Sequence, residues 1–172
     1  GWGETYGSPE TIMGIASVAK LAIGENPSNI SKVWHKIQRA TYQSHGYAGI
    51  PVMAASAIDT ALYDITGKST GKAAAEVMGG RIRDSIAVYA TGLYYVNNYA
   101  LEPHIKEAVG YVNQGFTGMK MKVGALSLEE DAERVKATRK AIGSDINLMF
   151  DANESYDVTS ALTFANMVAD QQ

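Results

Sequence analysis

Residues 118–124 read GMKMKVG, an apolar stretch between two glycines that carries two lysines. Its length and its flanking glycines predict a β-strand, in which successive side chains point to opposite faces. Lys120 and Lys122 therefore share one face of this strand. The opposite face is apolar and consists of Met119, Met121 and Val123. The stretch predicts a sheet that packs one face against helices and presents two ammonium groups on the other.

The pattern of strand, loop and helix occurs three times after residue 84. The predicted strands are SIAVYATG at 85–92, GMKMKVG at 118–124 and INLMFDAN at 146–153. The second helix begins with a capping box from Ser127 to Glu130 and ends at Gly143, and the third begins near Asp157. Strands that alternate with helices of this length predict βαβ crossovers and hence a parallel sheet.

Polar side chains are predicted at one edge of this sheet. Thr91, Lys122 and Asp151 are separated by 31 and 29 residues, which is one βα unit each. In neighbouring parallel strands roughly 4.8 Å apart, they would lie at about the same height on the lysine face. That height is the carboxyl-terminal edge, where α/β sheets and barrels place their active sites. Lys122 and Asp151 would then reach one small substrate.

Each of these residues also has a purely structural interpretation. Lysines on a strand face often protect a sheet edge, whereas Asp151 could cap a loop and Asn153 could be a turn residue. However, in a parallel sheet with helices on one side, the other face is a second helix layer or a barrel interior. Charges there need a partner, a ligand or a metal ion. The combination therefore favours a functional site.

Residues 1–84 have a helical pattern instead. Helices are predicted from Pro9 to about Gly24, from about Ser28 to Ser44, and through IPVMAASAIDTALYDITGK at 50–68. The last of these segments is apolar nearly all round, which predicts a buried helix. The sequence thus predicts a helical module before an α/β module.

Composition and charge argue against several classes of function. Fifteen basic and eighteen acidic residues give a net charge of −3 without a run of like charge, which does not favour nucleic acid or an anionic membrane as a partner. No apolar stretch approaches the roughly eighteen residues of a membrane span. The chain has no cysteine, so disulfides, thiolate zinc sites and a cysteine nucleophile are excluded. Small molecules and metal-bound ligands remain as open classes of partner. A chain without cysteine fits either redox compartment, and the protein is expected to be cytoplasmic.

Two other classes of function compete with a small-molecule site at this edge of the sheet. GKST at 67–70 suggests a phosphate-binding loop, but that motif requires glycine where Leu62 stands and a strand before it. A non-catalytic structural or interaction module is the second alternative. His104 has no metal-ligand spacing and is expected to be a packing or surface residue.

Four stretches resemble the enolase superfamily, in its mandelate racemase and muconate lactonizing enzyme group. They are SAIDTALYDITGK at 56–68, VMGG at 77–80 with RD following, KMK at 120–122 and DAN at 151–153. The resemblance implies a partial (β/α)₈ TIM-type barrel whose first three βα units are residues 85–172. Residues 1–84 would be the carboxyl-terminal portion of an α+β capping domain. Because such a barrel takes about 250 residues, the chain is expected to be a fragment of a longer protein, inactive by itself.

The resemblance also implies a chemistry, the Mg²⁺-dependent removal of the proton α to a carboxylate to give a metal-stabilised enediolate. Lys122 would be the base and Lys120 would assist it, whereas Asp151 would bind Mg²⁺, or Mn²⁺ in its place. Thr91 and Asn153 would contact the substrate. Further metal ligands and the second acid or base are expected on later strands, outside this chain.

The reaction that follows proton removal is open at this stage. An acid-sugar dehydratase is favoured because dehydratases are common in the family, with racemase, epimerase or cycloisomerase activity as alternatives. The partner is expected to be a small carboxylate, without nucleic acid or membrane, and the protein is expected to be a homo-oligomer.

Overall fold

Helices make up the first half of the chain, as the sequence pattern predicts. A computed structural model describes residues 1–46, 48–96 and 99–171, with only the backbone for 43–45. The first helices are α1 (Pro9–Ala22), α2 (Ile30–His45), α3 (Ile50–Thr70) and α4 (Ala74–Val77). Pro9 begins α1, where its missing N–H costs no helical hydrogen bond. Gly71 ends α3 in the left-handed conformation that glycine adopts without strain.

The helices of the unit Gly1–Asp84 enclose a small apolar core. Both α1 and α2 pack on α3. The core side chains are Val18, Ile30, Val33, Ile37, Ala54, Ala55 and Leu62. Between residues 51 and 67, α3 is buried or half-buried except at Met53, which is 40% exposed, and at Thr60. Its first residue, Ile50, is 39% exposed, and its last three residues are exposed. The predicted buried helix therefore forms along most of α3, but not at its first and last turns.

The segment GKST lies in the last turn of α3 and not in a loop between a strand and a helix. Gly67 is buried within the helix. The geometry of a phosphate-binding loop is therefore not formed here. Among the described residues, no helix combines the length and apolarity that crossing a bilayer requires.

The unit Ser85–Gln172 is a three-stranded parallel sheet with three helices. The strands β1 (Ala90–Thr91), β2 (Gly118–Lys122) and β3 (Asn147–Asp151) lie side by side in this order. The helices are α5 (Leu101–Asn113), α6 (Leu128–Ile142) and α7 (Val158–Met167), followed by a 3₁₀ turn at Ala169–Gln171. The parallel pairing confirms the fold class predicted from the alternation of strands and helices.

The apolar face of β2 packs into the core of this unit. Met119 and Met121 are fully buried, and Val123 is 5% exposed. Residues of α5, α6 and α7 complete the same core. The assignment of faces from strand alternation is therefore confirmed.

Helix ends in this unit follow the predicted capping signals. Ser127 Oγ accepts a hydrogen bond from the Glu130 N–H at 3.2 Å, and a Glu130 carboxylate oxygen accepts one from the Ser127 N–H at 3.0 Å. Asp157 caps α7 by accepting from the Ser160 N–H at 2.7 Å. These bonds satisfy N–H groups that lack a partner in the first helical turn.

Strand β1 is shorter than predicted and reaches less far along the sheet. Thr91 is the register partner of Lys120, whereas Lys122 is the partner of Asp151. The prediction that Thr91, Lys122 and Asp151 lie at one height is therefore wrong for Thr91, which lies two residues lower. The height of Lys122 is instead reached by Leu93, two residues after the end of β1, whose carbonyl accepts from the Lys122 N–H at 3.4 Å.

The short β1 has a simple cause in the register. Pairing of Ala90 with Met119 would bring residues 85–88 opposite residues 114–117, where the chain turns out of α5. A turn cannot supply the row of backbone groups that a parallel ladder needs. The predicted strand at 85–92 therefore forms only at its end.

Candidate active site

Two lysines and one carboxylate meet at the carboxyl-terminal edge of β2 and β3. The Nζ atoms of Lys120 and Lys122 lie 2.8 and 2.7 Å from the same atom, Oδ2 of Asp151. Lys122 and Asp151 are register partners, and Lys120 precedes Lys122 by one strand period, so the three side chains leave the sheet on one face. They are 18–26% exposed. A small molecule can therefore reach this cluster.

Asp151 is the partner that the two ammonium groups require. Hydrogen bonds from Lys120, Lys122 and the Asn153 N–H hold the pKa of the Asp151 carboxyl well below its usual range. The hydrogen bond to Asp151 in turn raises the pKa of Lys120. Charge-assisted bonds of this length are the stronger class of hydrogen bond in proteins. Asp151 and Lys120 therefore form an ion pair near neutral pH.

Asn153 is both a turn residue and a member of the cluster. Its φ of 50° is left-handed, a conformation that asparagine adopts more readily than most residues. Its N–H donates to Asp151 Oδ1 at 2.9 Å, and its own Oδ1 accepts from Lys122 Nζ at 2.6 Å. The turn thus fixes one oxygen of Asp151 and orients the ammonium group of Lys122.

Thr91 lies lower on the sheet, and Tyr94, which no sequence pattern indicated, contacts Lys122. Thr91 is exposed and level with Lys120. The Nζ of Lys122 is 5.9 Å from the ring centroid of Tyr94, within the range of a cation–π contact. Tyr94 follows β1 in an irregular loop, where no periodicity predicts the direction of its side chain.

A buried carboxylate joins the loops that follow β1 and β2. Asp131, on α6, is 0% exposed. Its Oδ1 accepts from the Tyr95 hydroxyl at 2.7 Å, and its Oδ2 accepts from the Gly124 N–H at 2.6 Å. The Tyr95 oxygen accepts in turn from the Ala125 N–H at 3.1 Å. One carboxylate therefore ties together two loops at the edge where the lysines lie.

Arg134 is the ion-pair partner of Asp131 and is directed at backbone carbonyls. Its Nη1 lies 2.9 Å from Asp131 Oδ1 and donates to the carbonyl of Lys122 at 3.0 Å. Its Nη2 donates to the carbonyl of Leu93 at 3.3 Å. Sequence reasoning missed this pair, although opposite charges three residues apart within the apolar stripe of α6 were an available signal.

His104 extends this network as a neutral imidazole. The Thr138 hydroxyl donates its proton to the Arg134 carbonyl at 2.8 Å, so it must accept from His104 Nε2, 2.9 Å away. His104 Nδ1 then accepts from Arg134 Nη2 at 3.2 Å. Burial, and next the charge of Arg134, lower the pKa of His104 from 6.5 to about 4. The expectation of a packing role is confirmed.

The neutral His104 predicts a loss of stability in mild acid. Because its pKa is lower in the folded state, its contribution is fully present above about pH 6.5 and is lost as the pH falls towards about 4. Between about pH 7.5 and about pH 5 this loss is on the order of 2 kcal/mol.

Urea unfolding of the His104→Gln variant at both pH values tests this expectation. The variant should lose clearly less stability between the two pH values than the parent does. A matched His35→Gln variant, at an exposed position of α2, should behave like the parent. Equal pH dependence in the His104→Gln variant and the parent would contradict the prediction.

Asp151 is the residue of this edge whose chemistry suits a divalent metal. Carboxylate oxygen is the hard ligand that Mg²⁺ prefers, and one or two protein carboxylates are usual for this ion. Across residues 1–46, 48–96 and 99–171, no group of three histidine, cysteine, aspartate or glutamate residues is arranged to hold a metal. The donor set therefore fits one position of a Mg²⁺ shell.

Two family models match the chain. The family described as mandelate racemase / muconate lactonizing enzyme, N-terminal domain, matches residues 1–79. The family described as enolase C-terminal domain-like matches residues 104–172.

Individual relatives agree with the family models. Arabinonate dehydratase of Saccharolobus solfataricus is 39% identical over 166 residues, or 94% of this chain and 44% of the relative. The crystal structure of 3,6-anhydro-D-galactonate cycloisomerase from Zobellia galactanivorans has a TM-score of 0.89 and 35% identity, over 100% of this chain and 47% of that one. L-talarate/galactarate dehydratase from Salmonella typhimurium LT2, liganded with Mg and L-lyxarohydroxamate, has a TM-score of 0.83 and 32% identity, over 98% and 44%. The chain thus spans less than half the length of these relatives.

Proposed function

The chain belongs to the enolase superfamily, in the mandelate racemase and muconate lactonizing enzyme group, and on this premise we propose that the protein containing it is a Mg²⁺-dependent acid-sugar dehydratase. The first step would remove the proton α to the substrate carboxylate. The observation that carries the proposal is the contact of Lys120 and Lys122 with one oxygen of Asp151. Residues 85–172 would be the first three βα units of a barrel, and residues 1–84 part of its capping domain.

Each residue of the cluster has a role in this proposal. Mg²⁺ bound at Asp151 would stabilise the negative charge that develops on the substrate carboxylate. Lys122 would take the proton, with its amine oriented by Asn153. Lys120 would add positive charge beside the developing anion. Thr91, level with Lys120, would contact the part of the substrate that lies deeper in the site.

The choice of substrate and of the later step rests on the relatives. Two of those described above are dehydratases of sugar acids, and one of these binds Mg. The principal alternative is a cycloisomerase, and racemase and epimerase activities also occur among the relatives. All would begin with the same proton removal. The proposal also includes Mn²⁺ as a substitute for Mg²⁺. It further includes a cytoplasmic location and a homo-oligomeric state.

Hydrogen exchange tests the shared first step directly. The intact protein that contains this chain is incubated in D₂O with Mg²⁺ and a library of sugar acids and amino-acid derivatives, and loss of the α-proton signal is followed by NMR. A dehydratase should also release a 2-keto-3-deoxy acid, whereas a racemase should exchange the proton without a change of composition. Removal of the metal by EDTA should stop the exchange. Absence of exchange with every acid would refute the proposal.

Replacing Asp151 by asparagine should weaken Mg²⁺ binding by at least about 100-fold. Loss of a residue that merely supports a metal ligand costs about 10–100-fold in affinity, and Asp151 is proposed as a ligand itself. Isothermal titration of Mg²⁺ into the intact protein measures the change. Asp145→Asn, at an exposed position before β3, is the matched control and should bind Mg²⁺ like the parent. Unchanged affinity in the Asp151→Asn variant would exclude Asp151 as a ligand.

A further inference from the structure

The buried ion pair of α6, Asp131 and Arg134, contacts the backbone at Lys122 and Gly124 on the helix side of the sheet. We infer that Arg134 and Asp131 are positioning residues that place Lys122 for proton removal, an inference that rests on the proposed function of Lys122. Neither residue lies on the substrate face of the sheet, and both are buried, with side chains 7% and 0% exposed. They therefore act on the site through other groups.

Arg134 donates hydrogen bonds to two backbone carbonyl groups around Lys122. One is the carbonyl of Lys122 itself, and the other is that of Leu93, which also accepts from the Lys122 N–H. The guanidinium group is rigid and planar, so these two bonds fix the position of Lys122, at the end of β2, relative to Leu93. Its central carbon also lies 4.1 Å from the ring centroid of Tyr95, within the range of a cation–π contact.

Asp131 fixes the loops that follow these strand ends. It binds the N–H of Gly124, two residues after Lys122, and the hydroxyl of Tyr95, two residues after Leu93. Gly124 has a φ of +100°, and a Cβ at this position would lie 2.7 Å from the Cβ of Ser155. The loop after β2 therefore touches the loop after β3, next to Asn153. The ion pair thus determines where the backbone around Lys122 can lie.

Stability alone does not require charged residues here. A buried ion pair is often replaceable by apolar residues of similar volume without loss of stability, because removing two charges from water offsets their attraction. Three bonds of Arg134 and Asp131 join backbone groups at or near Lys122, which is what a positioning role requires. Misplacement of a catalytic group by about 1 Å costs about 10²-fold in rate.

The double variant Asp131→Leu/Arg134→Met separates positioning from folding. Both charges disappear together, so no unpaired charge stays buried, and the thermal midpoint of the intact protein should change by only a few degrees. We expect kcat for α-proton exchange to fall about 10²-fold, while KM changes less than about 3-fold because the substrate face is intact. The control Glu133→Gln/Lys136→Gln removes the exposed ion pair of the same helix and should retain the parent rate.

A second variant and a second measurement keep the inference testable if the double variant does not fold. Tyr95→Phe removes only the hydroxyl that joins Asp131 to the Ala125 N–H, and it should lower kcat in the same direction by a smaller factor. In protein labelled with ¹³C at lysine Cε, the Lys122 signal should shift or broaden in both variants, while the Lys32 signal stays in place. Parent kcat with an unchanged Lys122 signal in a folded variant would overturn the inference. If the parent exchanges no proton with any acid, the proposed function fails, and the Lys122 signal alone decides whether the ion pair positions this residue.

Discussion

A Lys122→Met variant of the intact protein is expected to exchange the substrate α-proton about 10³-fold more slowly than the parent, since a general base contributes about 10²–10⁴-fold. Methionine retains an unbranched side chain of similar length but removes the amine. Lys120 keeps its bond to Asp151 Oδ2, so the carboxylate stays paired and the protein should fold. The rate is measured by NMR in D₂O with Mg²⁺ in excess.

Two comparisons make this result specific to Lys122. Lys106→Met, at an exposed position of α5, is the matched control and should exchange at the parent rate. Lys120→Met should slow the exchange less than Lys122→Met, because its ammonium group is proposed to assist and not to take the proton. If the Lys122→Met variant keeps more than about a tenth of the parent exchange rate, Lys122 is not the base. A larger loss of exchange rate in Lys120→Met than in Lys122→Met would indicate that Lys120 takes the proton and that Lys122 assists.

Local sequence patterns predicted most of the fold because the forces behind them are local. Alternation in GMKMKVG placed Met119 and Met121 in the core, and Ser127 and Asp157 marked the starts of two helices. The length of β1 was not predictable in this way. It depends on the register with β2 and on the turn before Gly118, which is a contact between segments about thirty residues apart.

Some residues of the candidate site could be predicted from local patterns, and others could not. Lys122 and Asp151 could be placed together because one βα unit separates them and parallel strands end at a common edge. Asn153 carried two interpretations, and the structure gives it both a turn and a bond to Lys122. Tyr94 was missed because its contact with Lys122 depends on the path of a loop, for which the sequence offers no period. The i,i+3 spacing of Asp131 and Arg134 was available, but the bonds from Arg134 to the carbonyl groups of Lys122 and Leu93 join segments that no local pattern connects.

The buried ion pair predicts a large change in stability when only one partner is removed. Arg134→Met leaves the Asp131 carboxylate at 0% exposure without its cation, although the bonds from Tyr95 and Gly124 remain. Removing one partner of a buried pair lowers the free energy of unfolding by about 3–5 kcal/mol. Urea unfolding of the intact protein, followed by circular dichroism, measures the change.

The exposed pair on the same helix provides the control for this measurement. Lys136→Met breaks the 3.7 Å contact with Glu133, whose side chain is 76% exposed, and exposed pairs contribute only about 0–1 kcal/mol. Adding Asp131→Leu to Arg134→Met should restore most of the lost stability, because no unpaired charge then stays buried. If the double variant were as unstable as Arg134→Met, the lost stability would come from the hydrogen bonds that Arg134 donates to the carbonyl groups of Leu93 and Lys122. The unpaired charge of Asp131 would then not be the cause.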